Sequence, residues 1–276
     1  MIKNAYPRIQ VSRIIIAIFC FLMLMPQVRA QSSEEYDNQI RHTSLYAEMT
    51  AKADTIKSEE NAMNLMHDFI NKKAVEKLEN PRIMIKWLED RMKTGNSDIF
   101  YAMFDSELYF RTAKGSETIG QMELAKELYK MAYVNARIFE IMAFTDVQRC
   151  ADSTAQGPIM SFAIGRFTGF QPVKKYFTEE DWKIFANLPL AYEEKFATRP
   201  ENSVVCQSGM EAYKQILNDP NHTETTVADD KYVGKKIIVK SSTPYQPSFI
   251  SNDEWQKRRQ NVRAQVTEMW AQDKEN

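Results

Sequence analysis

The chain has 276 residues, with 36 lysines and arginines against 37 acids and a net charge of −1, which argues against a general attraction to nucleic acid or anionic lipid. Hydrophobic residues make up 43% of the chain, while eight glycines and ten prolines are few. That composition is ordinary for a globular protein and disfavours collagen-like, linker-rich and many-turned all-β architectures, and the length is ample for one sizeable core.

Residues 1–30 have the three parts of an export signal. Lys3, Arg8 and Arg13 make a basic start, Ile14 to Met25 is an apolar run, Pro26 ends it, and Val28 and Ala30 flank Arg29 before Gln31. Those twelve residues reach about 18 Å as a helix, short of a hydrocarbon core of roughly 30 Å, so cleavage after Ala30 is expected rather than retention as an anchor. Cys20 sits inside the run behind Ala17-Ile18-Phe19, where lipid attachment wants small residues. Cleavage removes four bases (Lys3, Arg8, Arg13, Arg29) and no acid, so the charge moves from −1 to −5. No later segment has the length of an apolar membrane span, and the expected location is the periplasm or the medium.

The mature chain has mostly helical periodicity. Ser33 followed by Glu34 and Glu35 suits a helix start, and Tyr36, Ile40, Ala47 and Ala51 then recur in the steps of one buried stripe. Asp54 to Asn61 reads as a bend before Ala62, Leu65, Met66, Phe69 and Ile70. Asn80-Pro81 is a stop and restart, opening a short helix through Met84, Trp87, Leu88 and Met92 that ends near Gly95-Asn96. Ser97-Asp98 caps the next helix, with Gly115 as its expected stop. The following helix, from about Thr118 to Cys150, is apolar on nearly every side between Met131 and Phe144 and reads as the centre of a bundle.

Gly157-Pro158 begins a less regular stretch in which Gly165 and Gly169 suggest a close helix approach. Thr178 to Asp181 has capping-box spacing before Trp182, and Pro189 and Pro200 bracket a short helix holding Tyr192 and Phe196. Another helix spans Ser203 to Leu217. After Pro220 the helical stripe is lost, and residues 221–250 read as one or two strands or an extended arm. Ser251 to Glu254 is a second capping-box pattern, opening an amphipathic helix through Trp255, Val262, Val266, Met269 and Trp270. The expected fold is all-α, an irregular array of roughly eight helices, organised as a core at 31–220, an arm at 221–250 and a terminal helix at 251–276.

Residues 106–139 resemble one tetratricopeptide or Sel1-like helical hairpin, through Tyr109 on the first helix and Ala125, Tyr129 and Ala132 on the second. Ala113 and Ser116 depart from that pattern, and no second copy follows at the repeat length, so the likeness is local and implies no family.

Cys150 and Cys206 remain after cleavage, and an oxidising compartment favours a disulfide between them over two buried thiols. No hydrolase, zinc, redox or dinucleotide motif is present. Gly115 to Gly120 has phosphate-loop glycine spacing, but Gln121 and Met122 replace the lysine and hydroxyl residue, so no nucleotide or other cofactor is expected. His42, His67 and His222 are too dispersed for a local metal motif, so no metal is expected. Glu107, among Phe104, Leu108 and Phe110, is the one candidate general acid, although Arg111 four residues on makes a plain helix pair.

Candidate binding residues fall in two places. Phe162, Arg166, Phe167, Phe170, Lys174 and Lys175 combine rings and bases on a glycine-containing segment, and Trp255, Arg258 and Arg259 lie on the basic terminal helix. Core rings under a loop and a solvated helix face are the competing readings. The expected function is an exported, non-catalytic protein-binding scaffold or accessory of envelope or secretion machinery. A cell-wall hydrolase using Glu107 and a helical carrier of an apolar ligand are the alternatives.

Overall fold

The computed structural model describes residues 33–55, 66–77, 79–94, 99–228, 235–243 and 245–275. The export signal expected at 1–30, most of the expected bend and the Gly95 to Asp98 stop and cap lie outside these residues. The described chain is an all-α array carrying one short hairpin. It divides into two compact units: residues up to Phe139 with Arg166–Arg199, and Glu140–Gly165 with Pro200 onward.

The first unit begins with α1 (Ser33–Arg41) and α2 (Ser44–Thr55). Thr43 breaks the expected continuous stripe. Its hydroxyl donates to the Ile40 carbonyl at 2.8 Å and accepts from the Tyr46 amide, ending one helix and starting the next. The break changes the phase, so Leu45 and Met49 are buried while Ala47 and Ala51, expected to face the core, are exposed.

α3 (Asn80–Lys93) packs against α1, α2 and α4 (Ile99–Thr118). Met84, Trp87 and Leu88 are buried, and the Trp87 indole donates to Thr50 Oγ1 at 3.0 Å. Lys86 reaches Asp37 at 2.6 Å and Asp90 at 3.2 Å, and Asp90 also accepts from Arg41 and Tyr46. Burial alone would raise the Asp90 pKa, but hydrogen bonds from Arg41, Lys86 and Tyr46 outweigh it and hold the group at about 2.

Gly115 does not end α4, which continues to Thr118; the turn falls at Gly120, whose φ of 81° is the left-handed conformation glycine tolerates. α5 (Met122–Asp146) follows, its residues through Phe139 in the first unit and Glu140–Asp146 in the second. Ala125, Tyr129 and Ala132 are fully buried, and Ser106 Oγ donates to the Ala132 carbonyl at 2.8 Å, joining α4 to α5.

A 3-10 segment, Arg166–Tyr176, leads to α7 (Glu179–Lys195). The Thr178–Asp181 capping box is fully formed. Pro189 does not bound a helix as the sequence suggests but lies inside α7. Asp181, Phe185, Pro189 and Glu193 are buried at four-residue steps, so packing along that row outweighs one lost backbone donor.

The second unit contains the end of α5, a 3-10 turn at Val147–Arg149, α6 (Gln156–Gly165), α8 (Met210–Asn218), strands β1 (Thr223–Ala228) and β2 (Lys235–Lys240), and α9 (Asn252–Glu275). A 3-10 turn at Val204–Cys206 occupies the start of the helix expected from Ser203, and α8 begins only after Gly209. β1 and β2 pair antiparallel from Thr223↔Lys240 to Ala228↔Lys235, the Thr/Val/Ile-rich composition suiting a pleated ladder. The chain after β2 runs beside residues 149–151, where the Ala151 amide donates to Ser248 and the Ile250 amide to Arg149, each at 2.9 Å. Thus the arm and terminal helix belong with residues 140–165 rather than standing as separate pieces.

Candidate functional site

In the first unit, Tyr133 on α5 is the hub of the aromatic cluster. Phe167, Phe170, Phe177, Trp182 and Phe185 all have ring centroids between 4.6 and 5.7 Å from it. Phe167 and Phe170, two of the candidate binding rings, are therefore buried core. Arg166 donates to the Met103 carbonyl at 3.3 Å and lies 3.8 Å from Glu107. Glu107 also pairs with Arg111, the i,i+4 geometry the sequence allowed, so the candidate acid is held between two guanidiniums. Lys174 is half-buried, and Lys175 extends over the Tyr176 ring.

In the second unit, the Cys150–Cys206 disulfide is formed, with Cα atoms 5.5 Å apart. Beside it Asp152 fixes the start of α8. Asp152 Oδ1 accepts from the Thr154 amide, Oδ2 accepts from the Glu211 amide at 2.9 Å, and Thr154 Oγ1 accepts from the Met210 amide at 2.7 Å. Hydrogen bonds from Thr154 and Glu211 keep the Asp152 pKa below its ordinary value, so the carboxylate is a charged cap at a helix N-terminus.

α8 fixed in this way presents Met210, Tyr213 and Leu217 along one face, 53%, 57% and 67% exposed. These three large apolar side chains in a row on the outside of a helix make α8 a candidate contact surface, and the sequence alone gave no sign that this face points outward. Composition marks α8 as amphipathic; only its capped docking through Ala212 shows which side is covered.

Trp255 and Arg259 on α9 are each 1% exposed and do not form a surface. The Trp255 indole donates to the Thr145 carbonyl at 2.8 Å, Arg149 stacks 3.5 Å over its ring, and Arg259 donates to Gln256. Arg258 is half-buried and pairs with Glu254. Phe162 on α6 is 46% exposed, and it belongs to the second unit while Arg166 and the bases after it belong to the first.

A groove of about 460 Å³ lies between the end of α5, α6 and α9, all within the second unit. Phe144, Met160, Ile164, Val262, Val266 and Met269 supply its apolar lining, and Gln148, Gln156, Arg258, Asn261 and Gln265 the polar one. Among the described residues no group of histidines, cysteines and acids is placed to hold a metal ion, and no helix is long and apolar enough to cross a membrane. The chain matches no family model, no curated protein and no solved structure.

Proposed function

We propose that this chain is an exported, non-catalytic protein-binding accessory of envelope or secretion machinery, and that the α8 face is its docking surface. The observation that carries this reading is the exposed row of Met210, Tyr213 and Leu217 on a helix whose start is tied down by Asp152 and Thr154. A rigidly presented apolar row loses little conformational freedom on docking, which is what a binding surface needs. Export is supported by the signal pattern of residues 1–30 and by a disulfide, a bond that persists in oxidising compartments. The hydrolase reading loses its footing at Glu107, which two arginines already engage.

Two measurements test the proposal together. N-terminal sequencing of protein recovered outside the cytoplasm is expected to begin at Gln31. Affinity isolation from cell envelopes is expected to retain a partner that a Tyr213→Arg, Leu217→Glu double variant loses. Retention of Met1 on the recovered protein defeats the export claim, and an unchanged set of partners defeats the docking surface.

A further inference from the structure

The groove between α5, α6 and α9 is polarised along its length, and that polarity identifies a ligand. Its α9 wall is the row Arg258, Asn261, Val262, Gln265, Val266 and Met269, rising about 16 Å over three turns. Its α6 wall is Gln156, Met160 and Ile164 at four-residue steps. The two ends of α9 are fixed against the end of α5 by indole donors: Trp255 to the Thr145 carbonyl, and Trp270 to Glu140 Oε2 at 2.7 Å. Arg258 therefore lies toward Gln148, and Gln148 in turn accepts from Gln156 at 3.3 Å. Arg258 thus shares an end with Gln148 and Gln156, while Val266 and Met269 lie about two to three turns farther along α9, with Gln265 beside Val266, and Ile164 lies about two turns beyond Gln156 on α6.

The lining contains one guanidinium, four amides and no acid. A guanidinium has five donors, more than its pairing with Glu254 uses, and each amide adds two. The amides of Gln148, Gln156 and Asn261 both donate and accept, so the guanidinium of Arg258 is what favours an anionic acceptor head there, whereas a cationic head would find no acid in the lining. The rest is aliphatic and methionine surface that adapts to a flexible chain, with Ile164 48% exposed. The volume falls within the roughly 300–1,000 Å³ of small-molecule sites.

We infer that this groove binds a single long alkyl chain ending in a carboxylate, a ligand of the fatty-acid class. The carboxylate lies among Arg258, Gln148 and Gln156, and the tail runs over Met160 and Ile164 toward Met269. None of these residues is on α8, so this site stands apart from the proposed docking row.

The test is displacement of a fluorescent fatty acid from the purified protein by palmitate, hexadecanol or hexadecyltrimethylammonium. Palmitate is expected to compete at one site and to bind more tightly than either of the others. Ile164→Glu and Gln265→Trp, both at exposed positions, are expected to weaken palmitate at least tenfold, with circular dichroism unchanged. Arg258→Gln is expected to remove the preference for palmitate over hexadecanol while leaving hexadecanol binding intact. Failure of palmitate to compete in the unmodified protein overturns the inference. So does equal binding of the ammonium amphiphile, or undiminished palmitate binding in both groove variants.

Discussion

A β-carbon built on Gly209 would lie 2.2 Å from Asp152 Oδ2 and 2.8 Å from Asp152 Cγ. No real side chain fits at those distances, so Gly209 is what lets Asp152 reach the Glu211 amide in the first turn of α8. Gly209→Ala is expected to push Asp152 aside, uncap α8 and cost about 1–3 kcal/mol from overpacking and the lost cap. Urea unfolding measures it, and an unchanged midpoint would show that the cap tolerates the displacement.

Cys150 and Cys206 close a loop with a sequence separation of 56. Replacing both with serine is expected to destabilise the second unit by about 4 kcal/mol on loop entropy. Denaturation with and without reductant checks it; the serine variant should be insensitive to reductant, and equal stability of the oxidised and reduced wild type would contradict the estimate.

Asp105 on α4 is 1% exposed; its Oδ2 accepts from Asn135 Nδ2 at 2.9 Å and its Oδ1 has no hydrogen-bond partner. Burial first, and then the charge of Glu89, hold its pKa well above the ordinary carboxylate value. The folded chain thus keeps a proton that the unfolded chain releases above about pH 3.9, so this group's contribution is greatest in acid and is lost as pH rises toward the folded pKa. Asp90, Asp152 and Asp181 shift the other way and act oppositely, losing stability as pH falls through their lowered pKa values. The comparison that isolates Asp105 is wild type against Asp105→Asn between about pH 4 and pH 8: the variant should gain relative stability as pH rises. A flat difference would contradict the assignment.

Tyr133 touches five rings, and Arg137 donates to its hydroxyl at 2.7 Å. Tyr133→Ala is expected to cost about 3–5 kcal/mol, the range for emptying a large aromatic site in a core. A loss under about 1 kcal/mol on chemical unfolding would mean the cluster collapses around the gap.

Much of the helical array was legible in the sequence because its signals are local. The Asn80-Pro81 start of α3, the Thr178–Asp181 capping box and the loss of helical pattern after Pro220 each need only a few neighbouring residues. Elsewhere tertiary packing decides. Gly115 looked like a stop, but only Gly120 takes a positive φ; Pro189 looked like a boundary, but it sits in a buried row. Gly165 and Gly169 suggested a close helix approach, yet an added β-carbon meets nothing within 4 Å at the first and only Phe110 at 3.9 Å at the second.

Residue type alone cannot say which face of a helix is covered. That is why Phe167, Phe170, Trp255 and Arg259 proved to be interior while Met210, Tyr213 and Leu217 proved to be outside. The groove was beyond sequence reading for another reason. Its walls come from residues 144–148, 156–164 and 258–269, and nothing local joins them.

The most direct test of the protein-binding account is a photo-crosslinking amino acid placed at Tyr213 or Leu217, with Glu180 on α7 as an exposed control, activated in the cells that make the protein. The account predicts one and the same partner adduct from Tyr213 and Leu217 and none from Glu180. Absence of an adduct from both α8 positions, or an identical pattern from the control, would contradict it.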